Sequence, residues 1–239
     1  MNSIQNALYM TVELPPLPAS FVATRDALHQ VAEKVLAPAR VAATGDQFSL
    51  EATENGFGTP TFPDGGSVRV EGNELVVESI SGEPIRLPIT SLKRAGAAAG
   101  VNTSELDDVD LAIDEQSSAV LELAYHFGDG VLRELREVYG PGQEPTKITL
   151  WPEHFDIAFE MGIEADGRRA GYGLSPGDEN HEEPYFYVGP WSAPDEPAGW
   201  NASGFTGAEL GWSELRKAAD PHVAALDFLG ERFQALQAS

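Results

Sequence analysis

The chain is expected to fold as an α+β protein, with an antiparallel β-sheet or sandwich flanked by helices. Three observations predict this. Residues 46–89 and 147–188 show period-two apolar alternation, and residues 115–138 carry a long helical seam between them. The strand signals also cluster instead of alternating with helices, which argues against a parallel βαβ order. At 239 residues the chain can bury a substantial core as one domain over 1–239, with a flexible N-terminal arm over 1–20. Two lobes meeting near 101–118 are the alternative.

Residues 1–20 are broken by Pro15, Pro16 and Pro18, and the first basic residue is Arg25, so no secretory leader is read there. A helix is expected over 25–39, with Thr24 as its cap and Ala27, Leu28, Val31 and Val35 on one face. Phe48 and Leu50 then alternate with polar neighbours. Val68 and Val70 pass through Gly72-Asn73 into Leu75 and Val77, a hairpin signal. Ile85, Leu87 and Ile89 predict an edge strand, since Pro84 and Pro88 cannot donate to a ladder on both sides. The stretch 56–66 reads as strand or loop.

Residues 90–100 predict a helix ended by Gly100, followed by an acidic connection over 101–118. Val120, Leu123, Ala124, Phe127, Val131, Leu135 and Val138 make the strongest helical seam of the chain. Gly128-Asp129-Gly130 interrupts it, which predicts a kink or a close approach, and His126 beside it reads as a structural histidine. Strands are expected at 147–151, 154–163, 169–174 and 184–188, and an ordered loop or flap at 190–211. Two helices close the chain near 212–219 and 221–236, the second capped by Asp220 with Pro221 at its first position.

Composition excludes several function classes. Acidic residues number 38 against 15 basic ones, a net charge of −23, so phosphate backbones and anionic membranes are expected to be repelled. Neither nucleic acid nor membrane is an expected partner. The absence of cysteine removes thiolate chemistry and Cys-ligated metals, and suits a cytoplasmic location. There is no P-loop, G-x-G-x-x-G or H-E-x-x-H.

The candidate site lies in the second half, where 16 of the 21 aromatic residues and all four tryptophans fall after residue 120. In the run Trp151-Pro-Glu-His154-Phe-Asp156-Ile-Ala-Phe-Glu160, strand alternation puts Phe155, Ile157, Phe159 and Met161 on one face. His154, Asp156 and Glu160 fall on the other, where His154 and Asp156 can reach a common proton or metal. The tract 178–183 adds Asp178, Glu179, His181, Glu182 and Glu183. Tyr185 and Tyr187 share one strand face and Phe186 and Val188 the other, so one pair is expected in the core. The tyrosines, with Trp191 and Trp200, are candidates to line a cleft, because aromatic walls with a few acids suit polar or cationic ligands.

The segments Trp151-Pro-Glu-His-Phe-Asp156, Gly171-Tyr-Gly-x-Ser-Pro-Gly-Asp178 and Glu183-Pro-Tyr-x-Tyr-Val-Gly-Pro-Trp191 resemble a family of bacterial proteins without an assigned reaction. The terminal Ala-Leu-Asp-Phe-Leu229 segment is similar to it as well. The resemblance implies a single intracellular α+β protein and carries over no catalytic residue.

The expected function is a soluble, non-catalytic ligand-binding or accessory protein that takes a small polar or cationic ligand and no cofactor. Its site residues would be Tyr185, Tyr187, Trp191, Trp200 and Asp178. The alternative is a divalent-metal-dependent hydrolase, with His154, Asp156 and His181 as ligands and Glu182 or Glu183 as general base. A third reading is an acidic interaction module for a basic partner.

Overall fold

The computed structural model describes residues 13–46, 49–80, 82–194 and 199–238, and shows two five-stranded antiparallel sheets with helices packed against them. Phe48, part of the first expected strand, and residues 1–12 of the expected arm lie outside the described residues. Residues 13–18 are anchored: Leu14 is buried, and the indole N–H of Trp212 donates to the Pro15 carbonyl at 2.9 Å.

The first helical segment is longer than its apolar face predicted. It runs through α1 (Phe21–Val31), a π-turn (Ala32–Leu36) and α2 (Ala37–Thr44). Pro38 therefore sits inside the helix and not near its end; the widened turn before it relieves the clash of its ring with the preceding carbonyls. Thr24 is not the cap. Its hydroxyl accepts from the Asp114 N–H at 3.0 Å and so ties the helix to the far end of the acidic connection.

The first sheet is a meander of β1 (Glu51–Thr53), β2 (Gly56–Gly58), β3 (Ser67–Glu71), β4 (Glu74–Glu78) and β5 (Ile85–Pro88). The β3–β4 pair is the hairpin that Gly72-Asn73 signals, with Gly72 at φ +60°. The proline-flanked β5 lies at the edge. Helix α3 (Leu92–Ala98) is capped by Ser91, whose hydroxyl accepts from the Arg94 N–H and donates to Asp108 at 2.6 Å.

Helix α4 (Glu115–Tyr139) spans the middle of the molecule and contacts both sheets. Asp114 caps it by accepting from the Ser117 N–H at 2.9 Å. Gly128 is the close approach: a methyl group there would lie 3.1 Å from the Leu174 side chain, so the missing side chain lets the helix settle on the second sheet. Gly130 faces open space. His126 is exposed, because it lies one position off the apolar seam.

The second sheet comprises β6 (Thr149–Trp151), β7 (Asp156–Met161), β8 (Ala170–Ser175), β9 (Tyr185–Pro190) and β10 (Ala208–Gly211), in the order β10-β9-β8-β7-β6. Strand β10 falls inside the expected loop 190–211; its four residues are too few to show a period and become a strand by pairing with β9. A backbone bridge between Leu50 and Leu150, at 3.0 Å in both directions, joins the two sheets. Helices α5 (Trp212–Leu215) and α6 (Pro221–Ala238) complete the chain, and Asp220 caps α6 through the N–H groups of His222 and Val223. One apolar cluster takes residues from both sheets and from α1, α4 and α6.

Candidate functional site

The second sheet has two unlike faces. Pairing aligns Ile157 with Leu174 and Phe186, and Phe159 with Tyr172 and Val188. These residues are all buried and turned toward α4. The alternate positions face outward: Asp156, Ala158 and Glu160 on β7, Gly171, Gly173 and Ser175 on β8, Tyr185 and Tyr187 on β9, and Glu209 on β10.

Two glycines in the middle strand shape this outer face. Tyr187 leans from β9 across Gly173 to β7, where its hydroxyl donates to Asp156 Oδ2. A side chain at Gly173 would occupy the space of that ring, since an added methyl group would meet Tyr187 Cζ at 2.6 Å. The sheet thus brings together two residues thirty-one positions apart over a glycine that contributes no side chain.

The approach to Asp156 is not the strand that alternation predicts. Residues 152–155 form a turn, closed by the Phe155 N–H donating to the Trp151 carbonyl at 2.7 Å. Phe155 takes φ +56°, a left-handed conformation that costs a bulky residue about 1–3 kcal/mol. Tertiary contacts offset that strain. The Phe155 ring is buried edge-on to Phe57 and Tyr125 and stacked on His29 at 5.0 Å, and its carbonyl accepts from the Tyr125 hydroxyl at 2.7 Å. His29 also contacts the Pro152 carbonyl at 3.0 Å, so this histidine is a structural support of the turn. His154 is consequently exposed at the rim while Asp156 is buried.

A cavity of about 260 Å³ lies over this face, lined by His154, Asp156, Ser175, Asp178, Tyr185, Tyr187 and Phe205. Asp156 is only 7% exposed, and its Oδ1 has no hydrogen-bond partner among the described residues. Burial raises the Asp156 pKa above the usual carboxylate range; the Tyr187 hydroxyl and His154 only partly counter it. Tyr187 is pushed far above the ordinary phenol value by burial and then by the Asp156 charge, so it remains a donor.

Asp178 behaves differently. Burial works against its charge, but the Tyr185 hydroxyl at 2.7 Å, the Asn180 N–H at 2.7 Å and His181 together hold it below the usual range. His181 bridges two carboxylates, with Nδ1 at 3.1 Å from Asp178 and Nε2 at 3.1 Å from Glu209. It thereby fastens the 176–184 loop to β10, with its ring 4.4 Å from that of Tyr185.

The structure therefore places five of the expected site residues around one cavity: His154, Asp156, Asp178, Tyr185 and Tyr187. Phe186 and Val188 are the pair in the core. The remaining expected residues lie elsewhere. Trp191 is 54% exposed with Arg169 over its ring, and Trp200 packs against Arg232 at 5.8 Å. Both follow the end of β9, where the chain has left the outward face. His181 stands one layer back, with both ring nitrogens engaged. Glu182 is exposed, and Glu183 accepts from the Ser213 N–H at 3.1 Å, holding the start of α5. Among the described residues no three His, Asp or Glu side chains are grouped as a metal ion would need.

Ser175, Phe205 and Glu209 are site residues that sequence reasoning did not select. Gly173 carried a readable signal, since a glycine inside a strand pattern marks a close approach. A second cavity of about 520 Å³ adjoins the first and shares His154, Asp156 and Tyr187 with it.

Among the described residues no helix is long and apolar enough to cross a membrane. Comparison with protein families, curated proteins and solved structures finds no match to this chain. The family resemblance remains an expectation, and the functional reading rests on the geometry of the site.

Proposed function

We propose that the chain binds a small organic cation, such as a primary amine, in the cavity on the outer face of the second sheet. The observation that carries this reading is Asp156, a buried carboxylate lining the cavity with one oxygen unpartnered among the described residues. A buried polar atom without a partner is costly, and a ligand N–H would satisfy it. Asp178 supplies a second carboxylate, Tyr185 and Phe205 supply aromatic surface, and neither Lys nor Arg is among the described residues that line the cavity. The net charge of −23 attracts cations to the protein as a whole.

The test is calorimetric titration with n-butylamine and related primary amines. Saturable binding that falls at least about tenfold in Asp156→Asn supports the reading, since a charge-assisted hydrogen bond exceeds a neutral one by that order. No binding by any amine, or equal binding by the variant, would overturn it.

A second reading keeps the divalent-metal hydrolase. It is favoured by His154 and Asp156 sharing the cavity. His181 would have to give up Asp178 or Glu209 to join them. Elemental analysis of protein purified without chelator tests it: a near-stoichiometric metal lost in His154→Ala supports it, and no metal with no thermal shift on adding one sinks it.

A further inference from the structure

We infer that the ligand is elongated, an amine carrying an aromatic or other apolar arm, and that the arm lies in the second cavity. This rests on the reading of the first cavity as the ammonium site. The two cavities meet at the Tyr187–Asp156 pair, and His154, Asp156 and Tyr187 line both. A group bonded to Asp156 therefore stands where the cavities join, with space on both sides.

The second cavity, at about 520 Å³, is twice the size of the first. Trp151 and Ala158 give it apolar surface over the floor at Gly171, flanked by Thr146 and Thr149. Its two charged lining residues besides Asp156 are already engaged: Glu160 pairs with Arg169 at 3.1 Å and Lys147 with Glu51 at 3.5 Å. Among its described lining residues no carboxylate other than Asp156 lacks an ion-pair partner, so a polyamine fits it poorly and a neutral ring fits it better.

Gly171 makes the proposal testable. A methyl group built there would have one neighbour, the Gly189 carbonyl at 3.9 Å, so a larger side chain can enter the cavity without displacing the sheet. The experiment titrates wild type, Gly171→Leu and Ala158→Leu with n-butylamine and with 4-phenylbutylamine. Folding is checked by circular dichroism, and the two variants fill the cavity from different strands in case one fails to fold.

In wild type the phenyl compound is expected to bind at least about tenfold tighter, the order expected for burying a ring. Either variant should erase that preference by weakening 4-phenylbutylamine more than butylamine. Equal affinity of wild type for the two amines overturns the elongated ligand and leaves the ammonium site standing. A preference that survives in both folded variants also overturns it, because the arm then lies elsewhere. Failure of both amines to bind wild type removes the underlying reading.

Discussion

Tyr187 reaches Asp156 only because Gly173 lies between them: a methyl group on Gly173 would stand 2.6 Å from the Tyr187 ring. Gly173→Ala must therefore push the ring off the sheet or bend the strand. Overpacking of this kind costs about 1–3 kcal/mol. Gly171→Ala, two residues away on the same face, meets nothing closer than 3.9 Å. Chemical denaturation of the two variants is expected to show a clear loss for the first and little change for the second. Equal losses would mean that Tyr187 does not lie across the glycine.

Removing the Tyr187 hydroxyl leaves both oxygens of the buried Asp156 carboxyl without a side-chain partner. Tyr187→Phe should cost about 1–3 kcal/mol, the usual penalty for a stranded buried polar group. The double variant Tyr187→Phe with Asp156→Asn should cost less than the sum of the single changes, because the two residues act as a pair. Strict additivity in urea melts would count against their hydrogen bond.

The two carboxyls predict opposite pH dependences. Asp156 has a folded pKa above its unfolded value, so the folded chain holds the extra proton between the two values. Its contribution to stability is fullest below the unfolded pKa and declines as pH rises to the folded one. Asp178 has a lowered folded pKa, so its contribution is present above the unfolded value and is lost as pH falls. Asp156→Asn should therefore gain on wild type as pH rises from the carboxylate range, while Asp178→Asn should gain as pH falls. Thermal melts of the three proteins across that range check both signs.

Ligand binding should follow the same logic. A cation favours ionised Asp156, which faces Tyr187, His154, Tyr185 and Asp178 in and around the cavity. Amine affinity is expected to rise with pH, by up to about tenfold per unit, until Asp156 is ionised in the free protein. Calorimetry in buffers of different ionisation enthalpy should register the released proton. A pH-independent affinity with no proton release would show that Asp156 is already ionised before binding.

Helix α4 offers a control on the opposite face of the second sheet. Gly130→Ala meets open space and should stabilise the protein by about 1 kcal/mol through helix propensity. Gly128→Ala gains the same propensity but sets a methyl group 3.1 Å from Leu174, so its net effect should fall well below that of Gly130→Ala. Equal gains in melting temperature would mean that the helix does not press on β8 at this point.

The elements that sequence reading found are those whose signal is local. The seam from Val120 to Leu135 repeats over several turns and appears as α4, with Asp114 and Gly140 at its ends. The Gly72-Asn73 turn joins β3 to β4, and the alternation of Tyr185 and Tyr187 with Phe186 and Val188 separates the two faces of β9. The elements it missed are those that long-range contacts impose. Strand β10 exists through its partner β9. The left-handed Phe155 cannot be read from a Phe codon at all; it persists because Tyr125, Phe57 and His29 hold it from segments far away in sequence.

The same division runs through the site. Residue types and spacing by themselves determined the α+β class, the acidic character and a candidate set of His154, Asp156, Asp178, His181, Glu182, Glu183, Tyr185, Tyr187, Trp191 and Trp200, because burial periodicity and charge are properties of short windows. Only the tertiary structure decided which of them meet. Strand register put Tyr187 opposite Gly173 and within reach of Asp156, drew His181 back between Asp178 and Glu209, and left Trp191 and Trp200 outside the cavity. Register depends on which strands pair, and that is settled by burying the Ile157–Leu174–Phe186 face against α4, a contact no single segment contains.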